Sequence, residues 1–255
     1  MIDIHLVSWN RPKMTELVIK TIHRNTNRDD FRLVVLDNGS EKSTQEMLYQ
    51  LHENEYIDIL IRWKKNYGLE KARQEMLLYA TESEYFVCVD NDCLPPRNWL
   101  PEQLDLMRQY EDYAAISQRT PVMIGTGNIF EEADETGVPI VDFPHPGGSF
   151  RMMITRAVKD VGGWDRASTG RGSEEKYICG KLRDAGYGTA FSTHIRCLHL
   201  FGDRNKTQER WGYENGMKPE DSGHSDVWHP ALAKGDEFED VAYYAGEELA
   251  VRYFS

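Results

Sequence analysis

Two carboxylates stand two residues apart at the end of an apolar run. The run spans residues 86–89, and Asp90-Asn91-Asp92 follows it directly, before two prolines interrupt any regular structure. Carboxylates at this spacing can bind one divalent cation if the chain turns between them, since such cations prefer oxygen ligands. The same residues also fit a turn or a solvated strand end. The elements around them have to decide between these three interpretations.

A second acidic pair, Glu174-Glu175, stands at the start of a stretch with helical periodicity. With Ser173 as a candidate cap, two acids in the first turn complement the positive end of the helix dipole. Further along, an extended segment carries His194 and His199. Alternation places the His199 side chain on the face opposite to its two leucine neighbours, and a histidine in such a place is commonly a core residue.

Strand and helix signals alternate over the first 100 residues. We predict strands at 3–9, 31–36, 56–61 and 85–89, and helices at 14–25, 41–54 and 69–83. This alternation predicts an α/β fold with a mostly parallel sheet and helices on both faces. For the second half we predict strands at 137–143 and 148–155, helices at 156–161 and 173–186, and an extended segment at 189–202.

Polar residues and glycines follow each of the first four strands. The four segments are Ser8-Trp9-Asn10-Arg11, Asp37-Asn38-Gly39-Ser40, Asn66-Tyr67-Gly68 and Asp90-Asn91-Asp92. One polar loop at such a place is ordinary. Four in order, ending in paired carboxylates, favour a ligand site, since ligands of parallel sheets bind beyond the carboxyl ends of the strands.

Composition narrows the class of protein. The formal net charge of -12 argues against binding of nucleic acid by bulk electrostatics, although a local basic groove near Arg204 and Lys206 stays open. No apolar stretch approaches the roughly 20 residues of a membrane span, and we see no secretory signal. The four cysteines form no CxxC pair, so we expect reduced thiols in a cytoplasmic protein.

The motifs, taken in order, resemble the GT-A glycosyltransferases, family 2 in particular, over residues 3 to about 202. The motifs that carry the resemblance are SWNRP, VVLDNGSEKST, NYGLEKARQ, DND, GGSF, VGGWD and SEEKYICGKLRDAGYG. The resemblance implies a Rossmann-like GT-A catalytic domain over 1–202, with a nucleotide-binding half at 1–100 and an acceptor half at 101–202. We expect the aromatic-rich C-terminal extension, 203–255, to pack on it.

The resemblance also implies roles for the acidic and histidine residues. In the family the second Asp of D-x-D binds the metal, which implies Asp92 as a ligand and Asp90 as its support. A later histidine is a further metal ligand in many members, and His199 stands at that place, with His194 as the weaker candidate. The acid pair of the family supplies the catalytic base. That position is Glu175, with Glu174 as the alternative, although the family usually has Asp there.

The nucleotide is expected to lie against the strand-end loops. The residues that we predict to bind it or its sugar are Ser8, Asn10, Arg11, Asp37, Asn66, Gly68, Arg73, Asp90, Asn91, Trp164 and Asp165. Two alternatives stay open. Arg73 can instead form a structural ion pair with Asp90, and Trp164 can be a buried residue that holds its turn.

The resemblance implies an inverting transfer of a sugar from a nucleotide sugar, with a UDP-sugar as the expected donor, to an acceptor hydroxyl. A divalent cation, Mn2+ or Mg2+, is the implied cofactor. The alternatives are a nucleotide- or sugar-binding module without transfer activity and a glycosyltransferase that modifies a DNA nucleobase. A nucleotidyltransferase is disfavoured, because the loop SWNRPKMT lacks the glycines typical of that class.

Overall fold

The computed structural model describes residues 1–80, 83–120, 129–165 and 174–199, with the backbone alone at residues 129, 131, 132, 198 and 199. The strands are β1 (Ile2–Ser8), β2 (Phe31–Asp37), β3 (Ile59–Arg62), β4 (Tyr85–Val89), β5 (Cys93–Leu94), β6 (Tyr113–Arg119), β7 (Ile140–Asp142), β8 (Arg151–Ile154), β9 (Gly188–Arg196) and β10 (Leu198–His199). The helices are α1 (Pro12–Asn25), α2 (Lys42–Glu53), α3 (Leu69–Leu77), α4 (Trp99–Gln109), α5 (Ile129–Thr136), α6 (Thr155–Asp160) and α7 (Glu174–Asp184), with a short 3-10 turn at Arg28–Asp30. The predicted extension, 203–255, lies outside the described residues.

Eight strands form one sheet in the order β3-β2-β1-β4-β8-β6-β9-β7. The first four strands run parallel, and β6 runs parallel to β9. β8 lies antiparallel between β4 and β6, and β7 is an antiparallel edge strand. A separate ribbon pairs β5 with β10. The mostly parallel α/β sheet predicted from the sequence is confirmed.

Helices cover both faces of the sheet, and β4 shows why. The side chains of Tyr85, Val87 and Val89 pack with α1, α2 and α4 on one face. Phe86 and Cys88 point the other way, toward α3, α6 and α7. All five residues are buried, as expected of a strand in the middle of a sheet whose two faces are covered.

Besides the short 3-10 turn, four elements were absent from the sequence prediction, namely β5, α4, β6 and α5. They occupy the chain between the D-x-D segment and the predicted strand at 137–143, and β6 supplies the partner on which β8 and β9 both pair. The predicted helix at 69–83 is shorter in the structure and ends at Leu77. None of the helices in the described ranges is long and apolar enough to cross a membrane.

Backbone contacts join the loops that follow β2 and β3. Gly39 has φ of +76°, and a Cβ built there would lie 2.2 Å from the carbonyl carbon of Lys65. The side chain of Asn38 accepts a hydrogen bond from the Tyr67 amide at 2.9 Å and donates to the Gly68 carbonyl at 3.3 Å. The two loops therefore form one rigid rim at the carboxyl edge of the sheet.

We expect Gly39→Ala to destabilise the protein far more than Gly137→Ala. Both positions have positive φ, which costs an alanine about 1 kcal/mol. A Cβ at Gly137 meets nothing within 4 Å, whereas a Cβ at Gly39 collides with backbone, which adds about 2 kcal/mol or more. Equilibrium urea unfolding of both variants measures the difference, and equal free energies of unfolding would contradict the contact.

Candidate active site

The loop after β1 is fixed to the loop after β2. The Asn10 amide donates to Ser40 Oγ at 2.8 Å, and Asn10 Oδ1 accepts from the Glu41 amide at 2.8 Å. The carbonyl of Ser8 accepts from the Asn38 amide at 2.8 Å. Ser8 and Asn10, both predicted to bind the nucleotide, thus lie at the carboxyl end of β1. Their hydrogen bonds hold the loop after β1 against the loop after β2.

The loop after β3 is shaped in the same way. Asn66 Oδ1 accepts from the Gly68 amide at 2.8 Å, and Gly68 has φ of +93° just before α3 begins. These contacts turn the chain sharply from the rim into the helix. Asn66 and Gly68 therefore lie at the predicted edge of the sheet.

Asp37 ends β2 with its side chain fully buried. Its Oδ1 accepts from the Ser40 amide at 2.9 Å, while its buried Oδ2 has no hydrogen-bond partner among the described residues. A buried acceptor without a donor costs free energy, and a ligand N–H or O–H that reached it would remove that cost. This geometry suits recognition of a donor group on a ligand.

The D-x-D carboxylates come together with one thiol. Ligand atoms of Asp90, Asp92 and Cys93 all lie within 4.8 Å of one another. Burial raises the pKa of the Cys93 thiol well above its ordinary value, so the sulfur stays protonated, and it donates to Asp92 Oδ1 at 3.7 Å. The two carboxylates fit a hard divalent cation, and the thiol does not.

Each carboxylate of the pair also contacts an arginine. Arg73 lies 3.2 Å from Asp90 with 1% of its side chain exposed, and it donates to the carbonyls of His5 at 2.9 Å and Val89 at 3.1 Å. Arg11 lies 3.3 Å from Asp92. The buried ion pair of Arg73, which the sequence left open as an alternative, is therefore present.

Asn91, between the two acids, turns inward. Its Nδ2 donates to Thr15 Oγ1 at 3.0 Å, and that hydroxyl lies 3.5 Å from Ser8 Oγ. This chain of contacts ties the D-x-D turn to α1 and to the end of β1. The side chain of Asn91 therefore shapes the turn that presents Asp90 and Asp92.

Gly148 lies directly behind Asp90. A Cβ at this position would lie 2.8 Å from each carboxylate oxygen of Asp90. At the neighbouring Gly147 the same atom would meet nothing within 4 Å. Only a residue without a side chain leaves Asp90 its observed place.

Glu174, at the start of α7, is buried in an ion pair with Arg151 of β8, and its Oε1 also accepts from Trp164 Nε1 at 2.8 Å. Arg151 is fully buried and donates to the Pro146 carbonyl at 3.2 Å. One carboxylate thus holds together α7, β8 and the turn that contains Trp164.

Glu175 differs from the other three acids of the site. No ion pair of Glu175 occurs among the described residues, whereas Asp90, Asp92 and Glu174 each contact an arginine. Burial, followed by the negative charge of Glu174, raises the pKa of Glu175 from 4.5 to about 7, and the charge of Asp90 adds to the rise. A carboxylate with such a pKa can accept a proton at neutral pH.

Three further residues were predicted for the site, namely Trp164, Asp165 and His194. Trp164 is buried, with 1% exposed, so its ring has no surface on which a sugar could stack. Asp165 is exposed and bonds to Tyr177 and Lys181. His194 is exposed on β9 and is not part of the Asp90–Asp92 group.

His199 is described by its backbone alone. The pairing of β10 with β5 sets it opposite Cys93, the residue after Asp92. Its register position is therefore next to the D-x-D carboxylates, as the resemblance implied.

A family model described as glycosyl transferase family 2 matches residues 3–162, more than half of the chain. The chain belongs to glycosyl transferase family 2. The GT-A fold and the glycosyltransferase class predicted from the sequence are confirmed. None of the curated protein sequences compared with the chain matches it significantly.

Several solved structures share the fold of this family 2 chain at low sequence identity. A mannosyltransferase from Pyrobaculum calidifontis in complex with GDP-Man and Mn2+ has a TM-score of 0.65 at 17% identity, over 96% of this chain and 71% of that one. GalNAc-T7 with UDP, GalNAc and Mn2+ has a TM-score of 0.64 at 16% identity, over 95% and 50%. TarS 1–349 of S. aureus has a TM-score of 0.60 at 15% identity, over 78% and 60%.

Several residues of the site were missed in the sequence analysis. Arg151 carried a weak signal, since it is a charged residue inside an otherwise apolar strand. Gly148 was seen only as part of a motif, and its contact with Asp90 depends on the fold. Nothing in the local sequence marks Thr15 as a neighbour of the acidic pair. Cys93 follows Asp92 directly, but only the fold shows that its sulfur lies beside both carboxylates.

We expect Glu175→Gln to stabilise the protein at pH 8 but not at pH 4.5. Since the folded-state pKa of about 7 lies above the ordinary 4.5, the folded protein resists ionisation, and its stability falls as the pH rises between these values. The neutral glutamine avoids this loss, so the variant gains up to about 3 kcal/mol relative to the wild type. Urea unfolding across this pH range measures the difference.

Glu102→Gln is the matched control, because Glu102 also lies in the first turn of a helix but is exposed. The same measurements on this variant give the effect of replacing an exposed first-turn acid by glutamine. A difference between Glu175→Gln and the wild type that does not change with pH would contradict the raised pKa of Glu175.

Proposed function

We propose that this glycosyltransferase moves a sugar from a UDP-sugar to an acceptor hydroxyl, with inversion at the anomeric carbon and with a divalent cation as cofactor. One observation carries the proposal. Cys88, two residues before Asp90, pairs with Arg151 in the sheet, and Arg151 forms an ion pair with Glu174. Glu175 follows Glu174, and its pKa is raised to about 7, chiefly by burial. A candidate base and a candidate metal site thus share one edge of the sheet.

Asp37 supports uridine as the nucleoside of the donor. The free oxygen of its buried carboxylate, Oδ2, can accept from the single ring N–H of uracil. Guanine presents two adjacent donors, which suit a carboxylate with both oxygens free, but Oδ1 already accepts from the Ser40 amide. The mannosyltransferase structure contains GDP-Man and the GalNAc-T7 structure contains UDP, so the fold itself accommodates either base.

The proposed cofactor is Mn2+ or Mg2+, held by Asp92 with support from Asp90. Two neighbouring carboxylates on a strand-end turn are the oxygen ligands that such ions take. The backbone register of His199 makes it the candidate for a third ligand. Bound there, the cation would offset the charge of the leaving diphosphate. Structures of this fold in complex with Mn2+ support the assignment.

In the proposed reaction Glu175 takes the proton of the acceptor hydroxyl while the oxygen attacks the anomeric carbon. The bond from that carbon to the diphosphate oxygen breaks, and its electron pair leaves with the nucleoside diphosphate. Attack from the side opposite to the leaving group inverts the centre. Glu174 is better suited to hold α7 in place, since its carboxylate is buried against Arg151 and Trp164.

A panel of nucleotide sugars tests the proposal. The full-length protein is incubated with Mn2+ and each donor, and the released nucleoside diphosphate is measured without and with a chelator. We expect release from one UDP-sugar and its loss in the chelator. If the protein binds a donor but shows no turnover with any of the hydroxyl-bearing acceptors tested, it is a binding module instead. Full activity in the chelator would exclude a role of the metal in the reaction.

Two variants separate the roles in the same assay. We expect Asp92→Ala to lose Mn2+-dependent donor binding. We expect Glu175→Gln to bind the donor normally but to transfer the sugar at least about 100-fold more slowly. Glu102→Gln, an exposed acid in the first turn of α4, should transfer at the wild-type rate. If Glu174→Gln were inactive and Glu175→Gln active, the base would be Glu174.

The position of Gly148 directly behind Asp90 gives a prediction for the affinity of the metal site. We expect Gly148→Ala to weaken Mn2+ binding about tenfold or more, because the added methyl group must displace the Asp90 carboxylate. Gly147→Ala is the matched control, since its methyl group meets nothing. Electron paramagnetic resonance of free Mn2+ gives both affinities, and equal values would show that the position of Asp90 does not matter for the ion.

A further inference from the structure

Arg11 occupies the carboxylate that the proposed cation requires. Its guanidinium lies 3.3 Å from Asp92, with 20% of the Arg11 side chain and 15% of the Asp92 side chain exposed. The other arginine of the pair, Arg73, is fully enclosed and bonded to two backbone carbonyls. The two arginines thus differ in exposure, and Arg11 is the one that reaches solvent.

The backbone at Arg11 is fixed, so exchange of partners involves the side chain alone. Asn10 and Arg11 both have positive φ, of 57° and 58°, a conformation that non-glycine residues adopt at a cost. Asn10 is held by its amide, which donates to Ser40 Oγ, and by its Oδ1, which accepts from the Glu41 amide. Pro12 begins α1 directly afterwards. A long side chain on this rigid base can move its guanidinium by several ångströms without a change in the loop.

The new partner would be close by. Two oxygens that bind one Mg2+ at about 2.1 Å each are at most about 4 Å apart. A diphosphate oxygen on the same cation as Asp92 therefore lies within a short swing of Arg11. Arginine also forms bidentate bonds to phosphate, which compensate for the loss of the carboxylate.

We propose that Arg11 is a positioning residue that pairs with Asp92 in the donor-free protein and moves to the diphosphate of the donor when a cation binds Asp92. This inference rests on the proposed metal site. It follows that Arg11 opposes binding of the cation alone and favours the cation together with the nucleotide. Arg11 thereby couples the two binding steps.

The test measures Mn2+ and UDP binding to the full-length protein by titration calorimetry, with GDP in parallel. For Arg11→Gln we expect Mn2+ alone to bind several-fold more tightly than to the wild type, because a competing cation is gone. UDP in saturating Mn2+ should bind about tenfold more weakly. The two effects have opposite signs, whereas a residue that only maintained the loop would weaken both when lost.

Two further variants serve as controls. Arg11→Lys keeps the charge, so its Mn2+ affinity should stay near that of the wild type. Arg156→Gln removes one charge from an exposed ion pair with Asp160 in α6. This helix lies at the opposite edge of the sheet, because it follows the end of β8 that pairs with Tyr85 at the start of β4. It should change neither affinity. Thermal unfolding of each variant shows whether it folds. If Arg11→Gln does not, UDP binding to Arg11→Lys in saturating Mn2+ decides: it should be several-fold weaker, because lysine cannot form the bidentate bond to phosphate, and wild-type affinity would exclude the exchange.

The outcomes separate this inference from the proposed function. If the wild type binds Mn2+ and Arg11→Gln binds it with equal or lower affinity, the exchange by Arg11 is excluded and the metal site stands. If Arg11→Gln and Arg11→Lys both bind Mn2+ more tightly than the wild type, and equally so, the lost positive charge is not the cause and the inference fails. If the wild type binds no Mn2+, the proposed metal site fails and this inference with it.

Discussion

Arg151 and Glu174 face each other in a region from which water is excluded. Removing two charges from water costs several kcal/mol per ion, and only close contact with further hydrogen bonds offsets that cost. The Pro146 carbonyl and the indole of Trp164 supply those bonds. Loss of either charge would leave the other buried and uncompensated. Together with the apolar side chains that α7 buries, this contact sets the position of the first turn of α7, which contains Glu175.

Much of the nucleotide half could be predicted from sequence because its physical signals are local. Four apolar strands alternate with amphipathic helices, and the loops that follow them carry the polar residues. The carboxyl ends of parallel neighbours meet at one edge, so Asp37 and Asp90 had to lie near each other once the strands were recognised. The order of the motifs then indicated the family without any single motif being specific.

In the second half β7, β8, α6, α7 and β9 lie close to their predicted ranges, whereas α4 and β6 escaped prediction because their signals come from partners far along the chain. β6 contains small and polar residues, and α4 has a proline in its first turn, so neither shows a clear period. Trp164 is buried through contacts with Gln74 and Glu174, which its local sequence does not reveal. The pairing of Arg73 with Asp90 likewise joins a helix to a strand end and was only one of two open readings.

The antiparallel insertion of β8 beside β4 has a consequence for how the protein is made. β1 to β4 complete their mutual pairing within the first 89 residues, but residues 151–154 pair with residues 85–88 only after the chain of β5, α4, β6, α5 and β7 has been made. Such closure is entropically costly and slow. A nascent chain can thus assemble the rim formed by the loops after β2 and β3 during synthesis, while Glu175, the proposed base, arrives later. If the proposed roles hold, maturation passes through a stage that binds nucleotide without transferring sugar.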